Sequence, residues 1–177
     1  MQGLFRLARA GRMALLLGLL SAPALPAAQL PEALVDFAPA VVASLRDRFG
    51  SDEMVVLRSA IVTAVARETQ HINVPPGLTV TVTVRDVAPT HPTRLQLASE
   101  PGIDPERTRF LGGADLAGVV RDTQGHVVAD VMYRYYPPTL EMGSAKLDAW
   151  ADAQLAIEQF AVKLGAACRR MVSNPGT

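Results

Sequence analysis

The chain has one cysteine in 177 residues, three histidines, and equal numbers of acidic and basic side chains, 17 of each. A single cysteine excludes an internal disulfide framework and a cysteine-rich metal site. His71, His91 and His126 are too far apart for the i, i+4 pair of a helical zinc site. They are expected as exposed turn residues, with no resident metal or other cofactor. Balanced charge lacks the surplus of Lys and Arg that neutralises phosphates, so nucleic acid is not an expected partner. No G-x-S-x-G elbow surrounds Ser99, and the Gly112-Gly113 pair is followed by neither a helix pattern nor a lysine, so it does not read as a phosphate loop.

What is present supports a packed core. Apolar residues make up 49% of the chain and charged residues 19%, which argues for one folded domain. Residues 1–28 have a separate character. Arg6, Arg9 and Arg12 precede an apolar block, Met13 to Leu20, and then small residues around Pro23 and Pro26. That order is the pattern of a secretory signal peptide. The apolar block is too short to span a bilayer as a helix, which takes about 20 residues. Cleavage after Ala28 would leave 14 basic and 17 acidic groups. The expected product is periplasmic or secreted, with no transmembrane anchor after cleavage, a single domain over residues 29–172 and a flexible tail over 173–177.

Within that domain, apolar spacing predicts a strand near Ala33 to Ala38 and a short helix from about Ala40 to Arg48, ended by Gly50. Ser51 is a candidate N-cap for a helix to Gln70. Its stripe is Met54, Leu57, Ile61, Ala64 and Val65, widened by Val55 and Val62. Arg58 falls beside the stripe, where it either reaches a buried anion or, as long basic side chains more often do, lies along apolar surface with its charge in water. Strict alternation from Leu78 to Val87 predicts a strand with Val80, Val82 and Val84 inward and the threonines outward. Residues 88–109, with four prolines, read as a long connection, which in a compact domain is often functional.

Phe110 to Arg121 and His126 to Tyr136 predict a hairpin about the Asp122-Thr123-Gln124-Gly125 turn. Val127, Ala129, Val131, Tyr133 and Tyr135 share one predicted face. Gly112, Gly113 and Gly118 weaken the first strand and mark a bulge or a close approach by another chain. A last helix is predicted with Ser144 as N-cap, Trp150, Ile157, Phe160, Leu164 and Cys168 inward, and Asp148 and Asp152 on its exposed side. Cys168 on that stripe is expected to behave as a small buried hydrophobe. The fold class that follows is α+β: a small, mostly antiparallel sheet of about four strands with two main helices packed on one face.

Candidate functional residues cluster in the long connection. Arg94, Arg107 and Arg109 could form an anion- or partner-binding group with His91, the competing expectation being ion pairs to Glu100, Asp104 and Glu106. Ser99, His91 and Asp104 share the same loop and are the nearest approach to a hydrolytic triad.

The segment Phe110-Leu111-Gly112-Gly113-Ala114-Asp115-Leu116, the Asp122 to Gly125 turn and Trp150-Ala151-Asp152-Ala153 resemble exported proteobacterial proteins of unknown function, some of them envelope lipoproteins. The resemblance implies export and a hairpin-then-helix architecture. It carries over no catalytic residue, and the leader here lacks the lipid-bearing cysteine. The expected function is a non-enzymatic binding or envelope-interaction module with an envelope protein partner. The alternative is a small periplasmic hydrolase built near His91. An open sheet edge also makes a homodimer a candidate state.

Overall fold

A computed structural model describes residues 33–70, 72, 77–139 and 148–173. The Ser144 cap and the predicted leader and tail lie outside the described residues, apart from Ser173, which ends the last helix. The elements are β1 (Ala33–Phe37), α1 (Pro39–Ser44), a π-helical turn (Leu45–Phe49), α2 (Glu53–Thr69), β2 (Thr79–Ala88), α3 (Arg94–Ser99), β3 (Gly113–Arg121), β4 (Val127–Tyr135) and α4 (Ala151–Ser173). The sheet order is β1-β2-β3-β4. β1 and β2 are parallel, joined through the helical crossover, and the other two pairings are antiparallel. The result is the expected α+β sheet of four strands, with one parallel pair.

Alternation sets the sheet faces. Val80, Val82 and Val84 of β2 and Leu116 and Val120 of β3 are buried, while Thr79 and Arg85 stay exposed. α2 packs against β1 and α4, and α4 covers β3 and β4. Leu57, Ile61, Ala64 and Val65 of α2 meet Ile157, Phe160, Ala161 and Leu164 of α4 in one continuous core. An exposed ion pair between Arg67 and Glu158 also links the helices. Exposed pairs contribute about 0–1 kcal/mol. Each fully buried large apolar side chain contributes about 1.5–3 kcal/mol, so the core decides the packing.

These elements depart from expectation at several points. Ser51 does not cap α2 through its side chain. Asp52 holds the cap position without a side-chain bond, and the N–H of Met54 donates to the Ser51 carbonyl at 3.2 Å. Val55 and Val62 do not widen the stripe, since they are 69% and 36% exposed. They lie about 100–120° around the helix from Ile61, on the flank of Arg58. Arg58 itself crosses to β1, where Nη1 donates to the Val35 carbonyl at 2.5 Å and the guanidinium lies 5.4 Å from the centre of the Phe37 ring. In β4, Val127 is exposed while Val128 packs on the core, because the ladder slips between Val120 and Arg121 and inverts the alternation at the strand start. Asp148 precedes α4 instead of lying on it, and its carboxylate accepts from the N–H of Trp150 at 2.9 Å.

One glycine ends its helix as the sequence implies, and another meets its neighbour from within the same chain. Gly50 ends the π-helical turn at φ 113°, a conformation that favours glycine. At Gly118 the strand is regular and the approaching group is not another chain but Phe160 of α4, whose ring would stand 2.7 Å from an added Cβ.

Candidate functional site

The connection from β2 to β3 is not one uniform loop. Its first part, including Thr90, His91 and Thr93, is buried. The N–H of Thr90 donates to the Ala149 carbonyl at 2.7 Å, and its Oγ1 accepts from the N–H of Asp152 at 2.9 Å. Its carbonyl accepts from the N–H of Phe110 at 2.8 Å. Thr90 therefore binds the start of α4 and the approach to β3 together. Three residues on, Thr93 starts α3 with a reciprocal cap. Its Oγ1 accepts from the N–H of Gln96, and the Gln96 side chain accepts from the N–H of Thr93.

This anchoring sets Arg94 and Leu95 on one wall of an open cleft of about 930 Å³. The opposite wall comes from the π-helical turn and the start of α2, with Arg46, Asp52 and Val56. The turn before α4 supplies Trp150, which is fully buried. Its indole N–H donates to Glu53 Oε2 at 2.7 Å, and the Phe49 ring meets it edge-on at 5.9 Å. The walls are thus fixed to each other beneath the opening.

Charge in the cleft is partly committed. Arg46 pairs with Asp47, whose carboxyl is held below its ordinary value by that hydrogen bond. Glu53 is engaged by Trp150, and Asp148 by Trp150 and Gln154. Among the described residues Arg94 has no ion-pair partner, and it is exposed. Leu95 and Val56, 36% and 47% exposed, add apolar surface to the rim. The arrangement suits a ligand that brings an anionic group to Arg94 and an apolar group to the rim.

The sequence-derived site residues separate in space. Arg94 lines the cleft. Arg107 points into solvent and pairs with Asp104 at 3.7 Å, the local charge balance expected of a surface loop. Arg109 is half-buried, with its Nε inside the protein. His91 is not an exposed turn residue: it is 5% exposed, and neither ring nitrogen has a hydrogen-bond partner among the described residues. Ser99 and Asp104 therefore do not engage it. Asp104 instead accepts from the N–H groups of Glu106 and Arg107. Trp150, Phe49 and Glu53 were missed as site residues. Periodicity placed Trp150 on a helix stripe, and nothing local in the sequence pairs it with Glu53.

No family model, curated protein or solved structure matches the chain.

Proposed function

We propose that the protein is an exported, non-enzymatic binding module of the cell envelope. It takes a polypeptide partner in the cleft between α3 and the start of α2. One observation carries the reading: the buried 90–93 segment and its capped helix hold Arg94, unpaired among the described residues, over an open cleft with an apolar rim. The cap fixes the backbone that carries Arg94, so binding has only its side chain to order, and a carboxylate is the best complement of a guanidinium. The hydrolase alternative needs His91 bonded to a serine and a carboxylate, and among the described residues the His91 ring makes no such bond.

The test is retention of an envelope protein from periplasmic extract by the immobilised protein. Arg94→Glu and Val56→Asp should each lower retention of the same protein at least about tenfold, the scale of one lost interface anchor. Arg107→Glu, outside the cleft, should leave it unchanged. Retention indifferent to Arg94 and Val56 would remove the cleft from the account. Recovery of the intact leader on protein from the cytosol would remove the compartment.

A further inference from the structure

The two edges of the sheet differ. β1 has five residues, and Arg58 from α2 occupies the Val35 carbonyl. A short strand crossed by a long charged side chain is a guarded edge. β4 has nine residues, none of them proline, and among the described strands it pairs with β3. Among the described residues, no backbone hydrogen bond from Val127 to Arg134 reaches beyond that ladder. Its composition is β-branched and aromatic, the kind that supports strand pairing.

The side chains along β4 carry a pattern that suits its own copy. Asp130, Met132 and Arg134 share the face of the sheet opposite the helices, and all three are exposed. Among the described residues Asp130 has no ion pair, and the contact of Arg134 is with the Tyr136 ring, 5.2 Å away. Two β4 strands run antiparallel with Met132 opposite Met132 would set Asp130 of each copy opposite Arg134 of the other. The same register sets Val131 opposite Tyr133 and Ala129 opposite Tyr135 on the helix-covered face. Opposite charges directly across a ladder stabilise it, and like charges there destabilise it. A slip of two residues either way replaces these matches with Asp130 opposite Met132 or with Met132 opposite Arg134.

We infer that the protein forms a reversible two-fold dimer by joining β4 to β4 about Met132, making one continuous sheet of eight strands. The union is isologous, so it closes with two copies. Lys163, whose Nζ lies 5.3 Å from the centre of the Tyr133 ring, brings one positive charge per copy to the helix side of the seam. The charged pairs on the open face set the register against that repulsion.

Sedimentation of the purified protein over a concentration series tests the claim. Asp130→Arg and Arg134→Asp each place like charges in both cross-strand positions and should weaken the dimer about tenfold or more. The double variant restores opposite charges and should recover it. Met132→Cys gives a readout independent of those variants. At the two-fold position the Cα atoms of an antiparallel pair stand about 4.5–5.5 Å apart, within disulfide range. Oxidation should therefore cross-link Met132→Cys efficiently, and Asp130→Cys or Arg134→Cys poorly. Cys168, buried in the core, offers no competing surface thiol. A monomer at every concentration with no cross-link through position 132 overturns the inference. So does a dimer that ignores both single reversals.

Discussion

Gly118 has no side chain because Phe160 occupies the space one would fill. An added Cβ would stand 2.7 Å from Cζ and 3.3 Å from Cε2 of a ring that is 0% exposed. Alanine in a strand removes a glycine penalty of about 0.5–1 kcal/mol. Overpacking a filled core costs about 1–3 kcal/mol. The ring cannot move toward solvent, so the second effect dominates. Gly118→Ala should lower the urea midpoint without changing its slope, a net loss of about 1–2 kcal/mol. Phe160→Leu in the same chain should return part of that loss, which separates crowding at this contact from a general strand defect. The sequence showed that Gly118 was special, because glycine weakens a strand interior unless something approaches closely. It did not name Phe160, since that contact exists only once α4 is laid across β3. Val127 and Val128 show the same boundary. Alternation placed Val127 inward, and the ladder slip beside Arg121 reversed the two.

At the scale of elements, α3 is the least visible piece and the one that places the cleft cation. Six residues between prolines carry too little periodicity to read as a helix, and the segment looked like unstructured connection. Its signal was nevertheless present as Thr93-Arg94-Leu95-Gln96, a capping box. Removing the cap hydroxyl costs about 1 kcal/mol. A six-residue helix has little propagation to offset that loss. Thr93→Ala should therefore speed amide exchange at Leu97 and Glu100, whose N–H groups close the helix onto Thr93 and Gln96. Exchange at Val82 and Leu116 should hold, because the sheet core does not depend on this cap. Equal acceleration in both places would mean that α3 opens only with the whole protein. The longer elements were legible because their patterns repeat: three alternations in β2 from Thr79 to Val84, and a stripe through α4 that buries Ala153, Ile157, Phe160, Leu164 and Cys168.

Across the whole molecule, one core joins every long element, and Cys168 belongs to it. The cysteine count excluded a disulfide framework, and the α4 stripe placed the thiol inside, where it is 1% exposed. The cleft was less legible, because its walls come from residues 46–56, 92–97 and 148–150, which meet only in the folded chain. Burial pushes the Cys168 thiol above its ordinary value, and the nearby Arg169 only partly opposes this. The thiolate is the reactive form, so burial suppresses both access and nucleophilicity. A single cooperative core then makes a specific demand. Alkylation of Cys168 should require the same opening that exposes the amides of Leu116 and Phe160, and should share its free energy. With excess reagent at pH 8, native protein should label at least about a thousandfold more slowly than protein in denaturant, as a stability of several kcal/mol requires. Gly118→Ala should accelerate labelling by the factor its stability loss predicts, and Thr93→Ala much less. Labelling that outruns exchange at Leu116 would reveal that the end of α4 detaches by itself, dividing the molecule into a sheet core and a separately melting helix.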